Sequence, residues 1–216
     1  MPVVLYHYVH CPFCVRVRLA LGFLKVPFES IVLPYDDEKT PKELTGKKML
    51  PIAVIDKKVI NESLDIIKAI DPGNLLQSPA VENSPHFSEF EEMLNKLGSD
   101  IHSLAMPVWI WTPEFSESSR KYFQTKKEEK RGPFRELYFN KENYIRNLRP
   151  SLEKIAKDLK PFYRSESLSL YDIMLAAHLW GLYVVPEFQF PPEVHTYLQR
   201  VKERCQFDYH RDFWGR

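Results

Sequence analysis

Near its start the chain reads VVLYHYVHCPFC (Val3–Cys14), an apolar run that leads directly into two cysteines. The β-branched and aromatic residues of Val3–Tyr6 predict a short strand, and the helical spacing of apolar residues from Pro12 to about Leu24 predicts a helix. Because proline suits the first position of a helix, we expect Cys11 at or next to the N-cap. The helix N-terminus would stabilise a thiolate there and lower the pKa of the Cys11 thiol.

The cysteine pair has three explanations at this point. As a redox pair, Cys11 would be the attacking thiol and Cys14, three residues on, the buried resolving thiol. A C-x-x-C pair can also be half of a zinc site, but Cys205 is solitary, and His7 and His10 are not at ligand spacing. The two cysteines can also be incidental, since free cysteine is commonly a small buried apolar residue. Their place between a strand and a helix favours the redox pair.

The composition excludes several classes of protein. Of the 216 residues, 44% are hydrophobic and 27% are charged, which excludes a disordered chain. A formal net charge of +1 argues against a nucleic-acid partner. Only seven glycines argue against an all-β sandwich or a glycine-rich nucleotide loop, and three cysteines are too few for a disulfide framework. No targeting segment or apolar run of the ~20 residues that a membrane span needs is evident, so we expect a cytoplasmic protein with no membrane partner.

Residues 1–71 predict an α/β domain with the order βαβαββα. After the first strand and helix, strands are predicted at Phe28–Leu33, Ile52–Ile55 and Lys58–Ile60, and a last helix at Ser63–Ile70. Between them, Thr40-Pro41-Lys42-Glu43 predicts a capping box that begins a short helix. Such an order is typical of a layer of helices on a small mixed sheet.

The rest of the chain predicts a linker and an all-helical domain. Residues 72–85 are rich in proline, asparagine and serine, which is typical of a linker. Within residues 86–216 we predict helices at about 86–111 (interrupted at Pro107), 113–129, 141–159, 169–185 and 192–205. Ser169 and Asp172 form a capping-box pattern before the very apolar Ile173–Val185, which predicts the buried central helix. Four side chains in these helices are predicted to pack in the interior: His178, Trp180, Trp109 and Trp111. For the last two, a place on the wall of a groove between the domains is the alternative.

Two features downstream of the cysteines have more than one interpretation. Pro51 begins a predicted strand, where it is either an ordinary edge residue or part of a cis peptide bond. Asn61-Glu62-Ser63 begins a helix, either as an ordinary N-cap or as a binding site for a carboxylate. The order of both features after the C-x-x-C pair favours the functional interpretation in each case.

Taken together, these motifs resemble the glutaredoxin 2 family, the larger two-domain bacterial glutaredoxins with a glutathione-transferase-like architecture. The resemblance covers nearly the whole chain and rests on Cys11–Cys14, Thr40–Pro41, Gly46–Ile52, Glu62–Ile66, Pro113–Phe115, Arg120–Phe123, Lys126–Glu128 and Leu168–Ile173. It implies a thioredoxin-like N-terminal domain followed by a C-terminal helical bundle. It also implies a thiol–disulfide oxidoreductase with glutathione as cosubstrate, no tightly bound cofactor and no metal.

The resemblance also implies roles for individual residues. Cys11 is the nucleophile and Cys14 the resolving thiol. The other predicted binding residues are Leu50 and cis-Pro51 for the cysteinyl part of glutathione, Glu62 and Ser63 for its γ-glutamyl end, and Lys48 or Lys25 for its glycyl carboxylate. The expected partners are glutathione and glutathionylated or disulfide-containing proteins, and we expect a monomer.

Two other functions compete with the oxidoreductase. A glutathione transferase would have the same architecture, but cysteine-type transferases generally lack a second cysteine, and Cys14 is present. A non-catalytic interaction module would use a surface such as Arg120–Arg131, whose alternating charges favour a solvated helical face instead. His10 is predicted to be an exposed loop residue, with tuning of Cys11 as the alternative, and Cys205 is predicted to be a bystander, buried or partly exposed.

Overall fold

A four-stranded mixed sheet forms the N-terminal part of the computed structural model, which describes residues 2–209. The strands are β1 (Val3–His7), β2 (Glu29–Val32), β3 (Ile52–Ile55) and β4 (Lys58–Ile60), in the spatial order β2-β1-β3-β4. The central strand β1 is parallel to β2 and antiparallel to β3, and β3 is antiparallel to β4. Every second residue of β1 is buried, as expected for a strand with one face on the core. The predicted order βαβαββα and its mixed sheet are confirmed.

Three helices accompany the sheet: α1 (Pro12–Phe23), α2 (Lys39–Thr45) and α3 (Ser63–Ile70). Helix α1 packs on α3 in its own half and on a helix of the second half. Its buried residues surround the axis instead of forming one stripe, because both halves of the molecule cover it. The helix that begins at the cysteine pair is therefore the element on which the two halves meet.

Helix α2 begins two residues earlier than the sequence predicted. Its N-cap is Glu38, and the N–H of Thr40 donates to Asp37 Oδ1 at 2.9 Å. The predicted capping box at Thr40 is therefore wrong, because the carboxylate of Asp37 already provides the side-chain acceptor for the first turn.

The second half is helical, as predicted. Its helices are α4 (Ser78–Glu82), α5 (Phe87–Trp109), α6 (Glu117–Arg131), α7 (Phe134–Phe139), α8 (Lys141–Asp158), α9 (Leu170–Leu179) and α10 (Pro192–Arg204). A 3₁₀ segment, Trp180–Val184, follows α9, so the single helix predicted over 169–185 is two elements. Helix α7 was not predicted.

One prediction that depended on proline is wrong, and the proline-rich segment predicted as a linker contains a helix. Helix α5 runs through Pro107 without interruption and ends only two residues later, at Trp109. The predicted linker over residues 72–85 contains α4, and Pro79 lies in the first turn of that helix. At a helix start the N–H that proline lacks would be unsatisfied anyway, so proline favours α4 there.

The capping box of α9 is confirmed and fixes the start of the central helix. Both of its hydrogen bonds are present: the Ser169 side chain accepts from the Asp172 N–H, and Asp172 Oδ2 accepts from the Ser169 N–H at 2.9 Å. The second oxygen, Asp172 Oδ1, accepts from the N–H of Tyr163 at 2.8 Å. Asp172 is fully buried, and most of the helix it begins is buried as well, including His178; Trp180, which starts the following 3₁₀ segment, is also buried, and both side chains are in the interior as predicted. One carboxylate thus joins the α9 start to the loop before it.

At Gly22, the backbone of helix α1 lies so close to the backbone at the end of α10 that no side chain fits between them. A Cβ atom placed on Gly22 would overlap the carbonyl oxygen of Cys205, the residue that ends α10. Cys205 itself is fully buried, one of the two states predicted for it. Glycine is therefore required at this point of contact between the two halves.

None of the helices within residues 2–209 has the length and apolar character needed to cross a membrane.

Candidate active site

Cys11 is the N-cap of α1, as predicted, and Pro12 follows at the first helical position. Its backbone is extended (φ −68°, ψ 122°), and its carbonyl oxygen already accepts from the Val15 N–H at 2.9 Å. The thiol of Cys11 is partly exposed and free, whereas the free thiol of Cys14 lies one helical turn further on and is fully buried. The local rules for proline at a helix start thus bring both cysteines to the positively polarised end of α1.

The two thiols have opposite pKa shifts. A hydrogen bond from the Cys14 thiol is the largest of the effects that lower the pKa of Cys11 to about 7. The backbone N–H groups of Cys14 and Phe13 and the charge of Lys127 add to it, against burial, which raises this pKa. For Cys14, burial and the hydrogen bond to Cys11 raise the pKa well above that of a free thiol. At neutral pH, a large fraction of Cys11 is therefore thiolate, whereas Cys14 remains a thiol.

We expect the reactivity of Cys11 to depend on pH with a midpoint near 7. Since the pKa of Cys11 is lowered to about 7, the thiolate is present above that pH and is lost as the pH falls through it. The rate of alkylation by iodoacetamide, followed on the intact protein by mass spectrometry, should reach half of its maximum near pH 7 and level off at higher pH. Cys11→Ser serves as the control and should show no such reaction. A midpoint near the value of about 8.5 of a free cysteine would contradict this expectation.

Cys11 opens into a groove of about 350 Å³ between the two halves of the molecule. On the sheet side the groove is lined by Tyr8, Cys11, Pro12, Phe13, Tyr35, Lys48, Met49 and Leu50. On the helical side it is lined by His102, Met106, Trp109, Tyr122, Phe123, Lys126 and Lys127. One wall thus carries Cys11, and the other carries aromatic rings and two lysines.

The segment around Pro51 lies beside the start of α3. The Leu50–Pro51 peptide bond is cis, which confirms the prediction for Pro51. The side-chain amide of Asn61 donates to the carbonyl oxygen of Met49 at 2.9 Å, so the residues before Pro51 are tied to those before α3. Glu62 is the exposed N-cap of α3, and Ser63 is its buried first residue. Because the start of β3 pairs with the end of β4, Leu50 and Pro51 lie at the same end of this strand pair as Glu62 and Ser63, although only Leu50 of the four lines the groove.

The two lysines predicted to meet a carboxylate lie in very different places. Lys48 lines the groove, donates to the Tyr35 carbonyl oxygen at 2.6 Å and lies 3.7 Å from the centre of the Tyr122 ring. Lys25 is exposed and follows the far end of α1, which at 1.5 Å per residue is about 18 Å long. Lys25 is therefore not brought to the groove and is not retained as a candidate.

His10 is buried, so the prediction of an exposed loop residue is wrong. Its Nε2 lies 2.8 Å from Thr112 Oγ1 and 3.2 Å from Glu114 Oε2. The ring stacks on Trp109 at 5.1 Å between centres, and burial lowers the pKa of His10 well below its usual value. The neighbouring N–H of Val9 donates to Glu114 Oε1 at 2.7 Å. Residues from the helical half thus hold the two residues that precede Cys11.

The two tryptophans after the middle of the chain differ in exposure. Trp109 is buried, in agreement with the packing predicted for it. It also lines the groove between the two halves, which was the alternative prediction. Trp111 is 68% exposed, and the Arg120 guanidinium lies 4.5 Å from the centre of its ring. The packing prediction is wrong for Trp111.

Sequence reasoning missed most of the aromatic side chains of the groove and both lysines of its helical wall. Tyr8 and Tyr35 stack at 4.0 Å between ring centres, and Tyr35 also packs against Phe123 of α6. In α6, Tyr122, Phe123, Lys126 and Lys127 recur at a spacing of about four residues, which places them on one face. That spacing could have identified a face towards the groove, whereas the alternation of charge suggested a solvated surface.

Within residues 2–209, no group of three or more histidine, cysteine, aspartate or glutamate side chains is arranged to hold a metal ion. In this part of the chain, no such group completes a zinc site with Cys11 and Cys14.

Comparisons with known proteins identify the family. A family model described as the glutaredoxin 2 C-terminal domain matches residues 89–212, and one for the glutathione S-transferase N-terminal domain matches residues 5–72. Glutaredoxin 2 of Escherichia coli (strain K12) is 31% identical over 209 residues, which cover 94% of this chain and 96% of the relative. The chain belongs to the glutaredoxin 2 family. The resemblance found in the sequence is thereby confirmed.

Solved structures agree with membership of the glutaredoxin 2 family. Glutaredoxin 2 of Salmonella typhimurium, solved in complex with glutathione, matches with a TM-score of 0.85 and 30% identity over 96% of both chains. The glutathione transferase GSTFuA3 of Phanerochaete chrysosporium matches with a TM-score of 0.78 and 16% identity over 96% of this chain and 98% of the transferase. The second match shows the fold alone, and it confirms the predicted glutathione-transferase-like architecture.

Proposed function

We propose that this member of the glutaredoxin 2 family is a glutathione-dependent thiol–disulfide oxidoreductase that reduces glutathione mixed disulfides and protein disulfides. The observation that carries the proposal is the pair of unequal thiols at the start of α1. The pKa of Cys11 is lowered to about 7 beside a buried Cys14 whose pKa is raised. Membership of the glutaredoxin 2 family supports the same activity.

On a glutathionylated substrate, Cys11 acts alone. Its thiolate attacks the glutathionyl sulfur, a bond forms between the two sulfurs, and the bond from glutathione to the substrate breaks. The substrate leaves as a thiolate and takes a proton from solvent. A glutathione thiolate then attacks the glutathionyl sulfur bound to Cys11, so that glutathione disulfide leaves and the Cys11 thiolate is regenerated.

On a protein disulfide, Cys14 completes the reaction. Cys11 attacks one sulfur of the disulfide and forms a mixed disulfide with the substrate. Cys11 then carries no charge and accepts no hydrogen bond as a thiolate, which removes two of the causes that raise the pKa of Cys14. Cys14 loses its proton, attacks the Cys11 sulfur and releases the substrate dithiol. Two glutathione molecules reduce the resulting Cys11–Cys14 disulfide.

We further propose that glutathione binds along the sheet side of the groove. The Leu50 backbone beside Pro51 would pair with its cysteinyl part, and Glu62 and Ser63 at the start of α3 would bind its γ-glutamyl end. Unpaired N–H groups of a helix N-terminus favour a carboxylate, which supports the second contact. Lys48, which lines the groove, would meet the glycyl carboxylate. The glutathione complex of the Salmonella typhimurium relative supports a ligand of this kind.

A cytoplasmic location suits this chemistry. Glutaredoxins have reduction potentials of about −200 to −230 mV, and a cytosolic glutathione pool at about −220 to −260 mV can reduce them. Glutathionylated and disulfide-containing proteins are the partners that we propose in that compartment.

Two assays on the same preparation test the proposed function. We expect the protein to reduce hydroxyethyl disulfide with glutathione as the electron donor and to show little conjugation of glutathione to chlorodinitrobenzene. The reverse result, conjugation without disulfide reduction, would replace the oxidoreductase by a transferase. Activity in neither assay would favour the non-catalytic interaction module.

A further inference from the structure

The helical half supplies positive charge to the groove that contains Cys11. Lys126 and Lys127 lie on α6 and line this groove together with Lys48. Of the residues that the structure describes, none of those lining the groove is an aspartate or a glutamate. The nucleophile therefore faces a wall that is cationic and aromatic.

The three lysines differ in their partners. Lys48 donates to a carbonyl oxygen and lies 3.8 Å from a carboxylate oxygen of Glu38, and Lys126 lies 3.7 Å from a carboxylate oxygen of Glu129. Lys127 is half-buried, and within residues 2–209 no ion pair or hydrogen bond joins its ammonium to another side chain. Its ammonium lies 5.4 Å from the centre of the Phe123 ring. Lys127 is thus the groove lysine whose charge is not compensated by a carboxylate.

Cys11 lines the same groove as Lys127. A partly buried ammonium is costly unless an opposite charge lies nearby. Burial lowers the pKa of Lys127, and the Cys11 thiolate opposes that effect. In return, the Lys127 ammonium lowers the pKa of Cys11. Each group favours the charged form of the other, although they belong to different halves of the molecule.

We propose that Lys127 is a positioning residue of the redox site, which holds Cys11 in its thiolate form from across the groove. This inference rests on the proposed function, since a thiolate at Cys11 is needed in both half-reactions. In the first, the thiolate is the attacking group. In the second, Cys11 leaves as a thiolate, and a leaving thiol with a lower pKa departs faster. The helical half therefore takes part in the chemistry and does not only cover the sheet.

The test is the titration of Cys11 in the full chain, followed by the rate of iodoacetamide alkylation against pH. In Lys127→Gln we expect the thiolate fraction at pH 6 to fall about threefold, the modest effect of one opposite charge that is not in direct contact. Lys127→Arg keeps the charge and should keep the titration of the original protein. Lys121→Gln removes an exposed lysine from the same helix and should leave the titration unchanged.

The outcomes separate this inference from the proposed function. If Lys127→Gln titrates like the original protein, the inference on Lys127 is overturned, while disulfide reduction by the original protein still supports the function. If Lys127→Gln shifts the titration but the original protein reduces no disulfide, the function fails and the charge pairing stands. If Lys127→Gln does not fold, Lys127→Met, which keeps the apolar stem against Phe123, provides the same comparison.

Discussion

Replacement of Cys11 by serine should reduce glutathione-dependent deglutathionylation to the uncatalysed rate, whereas Cys14→Ser should retain much of it. A serine hydroxyl does not ionise near neutral pH, so the attacking group is lost with the thiol. Cys14 enters only when a protein disulfide is reduced, so its loss should stop that reaction and leave the glutathione route open. Serine at position 14 keeps a hydrogen-bond donor in place of the Cys14 thiol, the donor whose hydrogen bond lowers the pKa of Cys11 most.

The measurement is the rate of release of glutathione from a glutathionylated peptide, with reduction of a peptide disulfide as the second substrate. Cys205→Ser is the matched control, because Cys205 is fully buried and burial raises the pKa of its thiol to about 12. It should keep both activities. Full deglutathionylation by Cys11→Ser would refute the assignment of the nucleophile, and equal loss in both cysteine variants would refute the division of roles.

Asp172→Ala should cause a large loss of stability, about 2–5 kcal/mol in the free energy of unfolding, since leaving a buried donor unsatisfied costs about 1–3 kcal/mol. The substitution leaves two buried backbone N–H groups without their acceptor, those of Ser169 and Tyr163. It also removes one of the two hydrogen bonds of the capping box at the start of a helix that is apolar on all sides. Urea unfolding followed by circular dichroism measures the change.

Asp158→Ala is the control for this measurement. Asp158 lies at the end of α8 and pairs with Arg164 at 2.9 Å, but both side chains are partly exposed. A surface ion pair of this kind contributes about 0–1 kcal/mol, so its loss should be small. Equal destabilisation by both alanine variants would show that Asp172 has no special role at the start of α9.

The part of the site that could be predicted from the sequence is the part built by neighbouring residues. Pro12 after Cys11 defines the start of α1 because that preference is local, whereas the cis bond at Pro51 was indicated by its place after the C-x-x-C pair. The burial of His10 could not be predicted in this way, because its partner Thr112 lies 102 residues further along the chain. The burial of His10, the residue before Cys11, is seen only in the folded structure, where Thr112 and Glu114 of the helical half contact it.

The helix starts were also predicted correctly where they depend on residues inside the local motif, and missed where they depend on residues outside it. The pattern Ser169 to Asp172 predicted its capping box because both partners lie within one turn. At α2 the residue that caps the first turn, Asp37, lies just outside the predicted motif, so the boundary was missed. Lys127 belongs to a segment of alternating charge that looks solvated in isolation. The role proposed for Lys127 depends on which part of the molecule α6 faces, and the neighbouring residues in the sequence do not contain that information.

The contact between Gly22 and Cys205 limits how this chain can vary. Because the backbone of α1 touches the backbone at the end of α10, even one methyl group at Gly22 has no room. A side chain at position 22 would therefore require the backbone at the end of α10 to move away, which couples the two halves at this point. A chimaera that joins one half to the corresponding half of a distant relative would have to carry both sides of the contact together.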